Sequence, residues 1–234
     1  MSVFTPVGIL LFSSLIAAFS GLTSGVFMIF YHSALGRMSR RRASDYALFY
    51  ILGVETTLTI LLFCLYIIFN VSLGFSAFCN SDLFNLIFAG LIAAEGIMYL
   101  TLYFRRGRGT KLYISRNIAK RYCVKAAAVK SRSDAFMLGQ AALLPELIFI
   151  LPVLIVAILT VGNFGPTPPA RAGLLLLFVI ISICPLLLLH FCFTSGRNIS
   201  DLLRFRYRYK SFFRFMVVVF YFLVAMLMIL RNVL

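Results

Sequence analysis

Three glutamates within apolar segments are the residues of this sequence that most clearly indicate chemistry. Glu55, Glu95 and Glu146 are its only glutamates, and each lies near the middle of a long apolar segment with no Lys or Arg at comparable depth. An ionisable residue at the centre of a transmembrane helix costs about 3 kcal/mol to insert, so it usually faces the bundle interior, a water-filled cavity or a partner. Each of these carboxylates therefore needs a physical explanation.

Two interpretations of the glutamates are open. In the first, each is protonated and hydrogen-bonds to Thr56, Thr57, a serine or the backbone, so that it helps the helices to pack. In the second, two or three converge on a hydrated site, where a cation or a proton takes the place of the missing positive partner. Each of the three glutamates carries its own insertion cost, and one shared site explains all three costs together. This favours the second interpretation, which predicts transport or binding of a cation.

Residues that weaken helices accompany the glutamates in two segments. The first segment contains Gly21 and Gly25 in a GxxxG pattern, and the fourth contains Gly139 and then Pro145 directly before Glu146. GxxxG more often marks close helix contact, but interrupted segments at matching places in two halves of a chain indicate a transport site. We therefore predict that these three glycines and Pro145 allow helix breaks beside the carboxylates.

The elements that must position these residues are six apolar segments. Hydrophobic residues make up 62% and charged residues 12% of the 234 residues, whereas soluble domains average roughly 45–50% and 25%. This composition excludes a soluble enzyme and a disordered tail. Because about 20 apolar residues cross a bilayer as a helix, the sequence predicts an all-α, polytopic membrane protein with one domain, residues 1–234, and six transmembrane helices. The predicted spans are about 6–31, 46–70, 83–104, 135–162, 173–195 and 212–230.

The basic residues predict the direction of these spans. Twenty of the 22 Lys and Arg residues follow the first, third and fifth segments, and only Arg171 and Arg231 lie elsewhere. The positive-inside rule places the basic loops, including residues 105–134, in the cytoplasm and both termini outside an inner membrane. A helix on the inner surface is expected within that loop. Since anionic headgroups explain the net charge of +15, the expected partner is the lipid bilayer, with no nucleic acid.

Each half of the chain has three spans, so a repeat relating the halves is inverted in the membrane, a 3+3 arrangement. Four aspartates each follow a serine directly before an apolar or helical run, as residues at helix starts often do. These pairs are Ser44-Asp45, Ser81-Asp82, Ser133-Asp134 and Ser200-Asp201.

The sequence lacks the usual patterns of redox, metal and catalytic sites. Its five cysteines form no CxxC pair and are expected to be small packing residues. His32 and His190 contribute to a metal site only if folding brings them to the glutamates, and packing roles are expected instead. No HExxH, P-loop or nucleophile motif is present, so we expect neither an enzyme nor a cofactor.

Several local patterns accompany the six spans and the basic loop before the fourth. They are residues 133–139 opening the fourth segment, residues 173–177 with Pro185 in the fifth, and residues 202–204 before the sixth. In these features, over nearly its whole length, the chain resembles the DsbD-like cytochrome c biogenesis membrane family, within the wider lysine-exporter-like superfamily.

One departure from that family changes what the resemblance implies. The family works by a reactive cysteine in the first span and another in the fourth, whereas this sequence has no cysteine in either, and Glu146 stands beside Pro145 where a thiol is expected. The resemblance then implies a central site able to face either side, without electron relay. A carboxylate there suits movement of a cation or of protons.

Three functional hypotheses follow. The first is an inner-membrane transporter that moves a cation or small solute, with or without proton coupling, through a midplane site containing Glu55, Glu95 and Glu146. The second is a non-transporting membrane subunit that scaffolds or anchors partner subunits or further copies of itself. The third, a transmembrane thiol relay, requires Cys64 and Cys184 to meet in space.

Overall fold

The structure is a computed structural model that describes residues 4–19, 22–71, 82–103, 116–164, 167–195, 204 and 208–233. Throughout these ranges the regular secondary structure is helical, and no strand occurs in them. A 3₁₀ turn, Leu144–Glu146, lies within the helical stretch of the fourth predicted span. The helices are α1 (Phe4–Phe19), α2 (Leu22–Leu35), α3 (Arg40–Val71), α4 (Asp82–Tyr103), α5 (Arg116–Ala128), α6 (Arg132–Leu143), α7 (Leu147–Phe164), α8 (Pro168–Thr194) and α9 (Lys210–Val233).

Within the described ranges, five helical stretches are long and apolar enough to cross a membrane. They confirm the prediction of an all-helical chain of multi-pass membrane type. The third predicted span corresponds to α4, whose apolar stretch, Asn85–Thr101, is shorter. The five stretches are Thr5–Leu35, Arg40–Phe69, Arg132–Gly162, Pro169–Thr194 and Ser211–Arg231.

The helices pack around two interior regions. The first region joins residues of α2, α3, α6, α7 and α8 around aromatic rings, and the rings of Tyr31 and Phe193 stack there with centroids 4.4 Å apart. The second joins α1, α4, α7 and α9 around Ile9, Ile92 and Tyr221. α7 supplies buried residues to both regions, which explains why its sequence is apolar on nearly every face.

α3 and α6 approach each other closely at two glycines. A Cβ atom on Gly53 would overlap the carbonyl oxygen of Phe136, and a Cβ atom on Gly139 would overlap that of Tyr50. A backbone carbonyl cannot move aside as the end of a side chain can, so only glycine fits at both positions. Gly139 lies inside α6, which continues to Leu143. It therefore makes a helix contact where we expected a helix break.

α5 is the helix expected within the basic loop, and the described part of that loop is hydrogen-bonded to α6, to α3 and to Arg37. The hydroxyl of Tyr122 donates to the carbonyl of Ala141 on α6 at 2.6 Å. Burial raises the pKa of the Tyr122 phenol, and the negative Glu146 carboxylate adds to this rise, so the hydroxyl stays protonated as a donor. From α3, the Tyr46 hydroxyl donates to the carbonyl of Lys130 at 2.9 Å.

Arg37, between α2 and α3, binds the carboxyl end of α5. Its guanidinium donates to the carbonyl of Ala126 at 2.6 Å and also to the carbonyl of Ala127. The last carbonyls of a helix lack helical donors and carry partial negative charge, so a cation there supplies both hydrogen bonds and charge. The same side chain donates to the carbonyl and the hydroxyl of Ser33, which orients it towards α5.

The start of α6 confirms the role predicted for one aspartate. Asp134 accepts the backbone N–H groups of Lys130 and Ser131, and the Ser131 hydroxyl accepts the N–H of Asp134, which together form a capping box. Asp45 lies inside α3 instead, where Arg132 donates to its carboxylate at 2.7 Å. This second pair is largely exposed and contributes little to stability.

The contacts of Arg37 predict that this residue stabilises α5. We expect Arg37→Ala to increase backbone hydrogen exchange throughout residues 116–128, because the carboxyl end of α5 loses the cation on its carbonyls, a contribution of about 1 kcal/mol. Arg41→Ala, an exposed cation in the first turn of α3, is the matched control. Equal exchange in the two variants would contradict the role of Arg37.

Candidate functional site

Pro145 explains why the helix tightens into a 3₁₀ turn at Leu144–Glu146. Proline has no N–H and its ring collides with the carbonyl four residues earlier, so α-helical hydrogen bonding is interrupted there. That carbonyl belongs to Ala141, and it is the oxygen that accepts the Tyr122 hydroxyl. A side chain of α5 thus replaces the hydrogen bond that Pro145 removes. This exchange couples α5 to the turn that carries Glu146.

Glu146 is the buried carboxylate of this turn, with 2% of its surface exposed. Its Oε1 accepts the backbone N–H of Thr23 at 3.1 Å. Thr23 is the second residue of α2, and first-turn N–H groups have no acceptor in their own helix and carry partial positive charge. A carboxylate from the fourth predicted span therefore serves as the acceptor for a half-helix of the first.

Tyr50 of α3 binds the other backbone group of Thr23, its carbonyl. Its hydroxyl donates to the carbonyl of Thr23 at 2.9 Å, and the bond is buried. The backbone of Tyr50 is also the surface that packs against Gly139 of α6. The Glu146 site, as we define it, consists of Thr23, Tyr50, Tyr122, Pro145 and Glu146. Three hydrogen bonds position these residues: Thr23 of α2 donates to Glu146, Tyr50 of α3 donates to Thr23, and Tyr122 of α5 donates to Ala141 of α6.

Glu95 lies in a different environment, on the face of α4 that packs in the second interior region. The neighbouring Gly96 packs against Tyr221 of α9, where an added Cβ would approach the Tyr221 Cβ to 2.9 Å. The Oε2 atom of Glu95 is buried and has no hydrogen-bond partner in the part of the chain that the structure describes. Glu95 is thus set apart from the contacts made by the Glu146 site.

Glu55 lies on α3 and is partly exposed. The hydroxyls of Thr56 and Thr57, which we expected as partners for a protonated glutamate, both donate to the carbonyl of Gly53, at 3.1 and 2.8 Å. Such bonds to a preceding turn are common for threonine in helices. They leave Glu55 without the expected support from these two neighbours.

The structure does not gather the three glutamates into a metal site. Among the described residues, which include all three, no group of three or more His, Cys, Asp and Glu side chains could hold a metal ion. His32 is exposed, whereas the Nδ1 atom of His190 is buried and has no hydrogen-bond partner within the described ranges. Of the sequence-predicted carboxylates, only Glu146 joins two of the predicted spans through a hydrogen bond that the structure records.

The remaining residues singled out in the sequence are the predicted helix-break residues and the cysteines. Pro145 lies in the 3₁₀ turn, Gly25 is buried inside α2, and Gly21 lies outside the described residues. Four cysteines are free thiols, and three of these, Cys64, Cys123 and Cys184, are exposed. Cys79 lies outside the described ranges.

Sequence reasoning missed Thr23, Tyr50 and Tyr122 as members of the site. One signal was present: a proline inside a span leaves the carbonyl four residues earlier in need of a donor. That rule identifies Ala141 as an acceptor, but it does not identify Tyr122, on another helix, as the donor. Comparison of the chain with protein-family models, curated proteins and solved structures gives no match. The resemblance to the DsbD-like family accordingly stays a prediction from sequence patterns.

Proposed function

We propose that this chain is a multi-pass membrane transporter for a small solute or monovalent cation. Movement of the substrate is coupled to the charge of the Glu146 carboxylate. The observation that carries the proposal is the buried hydrogen bond from the Thr23 N–H to the Glu146 carboxylate. It joins the beginning of α2 to the 3₁₀ turn between α6 and α7. In a six-span chain with both termini outside an inner membrane, these elements belong to the first and fourth spans, which are equivalent in a 3+3 repeat.

The physical basis is the electrostatics of a half-helix. A negative Glu146 is held by the positive end of α2, whereas a protonated or cation-bound Glu146 is a weaker acceptor. Loss of that attraction favours a conformation in which α2 separates from the turn and the site opens. Transporters of inverted architecture commonly place such helix ends at the substrate site.

The coordination chemistry of the site narrows the substrate. A divalent cation such as Ca²⁺ takes about six to eight oxygen ligands, usually from several carboxylates. The Glu146 site has one carboxylate, beside backbone groups and two tyrosine hydroxyls. A proton fits these groups better than a divalent ion does, and so does a monovalent cation, which carbonyl oxygens can coordinate. We therefore place proton coupling at Glu146 and the solute beside it.

The test follows opening of the site by thiol labelling in proteoliposomes. The five native cysteines are first replaced with serine, and Thr23→Cys is then introduced. This substitution leaves the backbone N–H of residue 23 in place. We expect a membrane-impermeant maleimide to label the introduced thiol faster at acidic than at alkaline pH, because protonation removes the charge that holds α2. Adding Glu146→Gln is expected to make labelling fast at both pH values.

Val26→Cys is the matched control, since Val26 is fully buried on the same helix and is expected to stay unlabelled at both pH values. Labelling of the Thr23→Cys protein that is independent of pH and unchanged by Glu146→Gln would refute the proposal. Stable co-purification of partner membrane proteins in that case would favour a scaffolding subunit.

A further inference from the structure

A cavity of about 600 Å³ lies between α5 and the turn at Pro145. Its volume is in the range of small-ligand sites, which is roughly 300–1,000 Å³. The described residues that line it are Lys120, Arg121, Tyr122, Val124, Lys125 and Pro145. Tyr122 and Pro145 of the Glu146 site line this cavity, whereas Glu146 and Thr23, which make the contact proposed for transport, do not.

The charge of the cavity wall selects an anion. Three of the six described lining residues are cations, and none of the six is acidic. The Nζ of Lys125 lies over the ring of Tyr122, 5.9 Å from the centroid, which is within the range of a cation–π contact. Tyr122 is itself anchored through its hydroxyl to α6. The cavity thus has positioned positive charge on one wall.

The side opposite α5 is formed, among the described residues, by Pro145, and it adjoins an exposed apolar surface. The neighbouring side chains of Leu144 and Ile148 are 59% and 67% exposed, and Val124, on α5 with the cations, is 71% exposed. Leu144 and Ile148 are four residues apart across the start of α7, so they share one helix face. A ligand that fits both walls needs an anionic head and apolar chains.

We propose that this cavity binds the headgroup of an anionic phospholipid, with the acyl chains lying along Leu144 and Ile148. Basic pockets beside transmembrane helices bind such headgroups through their phosphate groups. Free phosphate satisfies the cations but leaves Val124, Leu144 and Ile148 uncovered, whereas a phospholipid covers both walls. This inference is independent of the proposed transport. A lipid bound here also contacts Pro145, the residue that produces the turn.

The absence of tryptophan from the sequence permits a direct test. Ile148→Trp places a single tryptophan in the chain beside the cavity. Leu177→Trp, the matched control, places it at an exposed position of α8 (49% exposed). Both proteins are reconstituted in phosphatidylcholine with increasing brominated phosphatidylglycerol, which quenches tryptophan on contact. We expect the indole at position 148 to show about tenfold preference for the anionic lipid, and the indole at position 177 to follow the bulk lipid composition.

Charge substitutions then identify the site. In the Ile148→Trp protein, Lys120→Gln, Arg121→Gln and Lys125→Gln together are expected to reduce the preference to within about twofold of the bulk. The matched triple, Arg40→Gln, Arg41→Gln and Arg42→Gln, removes three exposed cations from α3 and is expected to retain it. Quenching at position 148 that follows the bulk, equal loss in both triples, or displacement of the lipid by inorganic phosphate would each overturn the proposal.

Discussion

Gly139→Ala is expected to lower the free energy of unfolding in detergent or bicelles by about 3 kcal/mol, near the upper end of the usual cost of overpacking. The new methyl group would overlap the carbonyl oxygen of Tyr50, and α3 and α6 then have to separate. Separation also moves Tyr50 away from Thr23, so we expect part of the Glu146 site to loosen. Reversible unfolding followed by circular dichroism measures this effect.

Gly90→Ala is the matched control, because a Cβ atom at Gly90 on α4 meets nothing within 4 Å. It is expected to be neutral or slightly stabilising, as alanine favours helix. Gly53→Ala should resemble Gly139→Ala, since Gly53 meets the Phe136 carbonyl across the same contact. The double variant should cost less than the sum, because the first methyl group already separates the helices. Additive effects would show that the two glycines act independently.

Glu146→Leu is expected to lower the free energy of unfolding by about 2 kcal/mol, the typical penalty for leaving a buried donor without its acceptor. The donor is the N–H of Thr23, and leucine offers it no oxygen. Glu146→Gln keeps a carbonyl oxygen at the end of the side chain, so we expect a loss below about 1 kcal/mol. Thermal or denaturant unfolding of the purified variants compares the two directly.

Glu95→Leu is a matched control for this comparison. It also removes a carboxylate from a span, but the Oε2 of Glu95 has no hydrogen-bond partner among the described residues, so its removal is expected to be neutral or stabilising. If Glu146→Leu were as stable as Glu146→Gln, the hydrogen bond to Thr23 would make no contribution. Its use as the basis of the proposed function would then fail.

The pairing of Pro145 with Glu146 illustrates what could be predicted along the chain. A proline and a carboxylate inside one apolar segment indicated a helix irregularity there, and the 3₁₀ turn lies at that position. Gly139 shows the limit of the same reasoning. A glycine serves a helix break and a close helix contact equally well, and only the Tyr50 backbone on α3 decides between them. Neighbours from distant parts of the sequence carry that information.

By itself, the sequence determined the helical class, most of the apolar spans and the presence of a helix within the basic loop. These properties depend on the cost of placing each residue in hydrocarbon, and this cost accumulates along the chain. Only the tertiary structure decided that Glu146 meets Thr23 while Glu95 packs elsewhere. The sequence predicts similar depths, and so similar insertion costs, for the three carboxylates. The rotation of each helix, set by the packing of its opposite face, determines which of them meet.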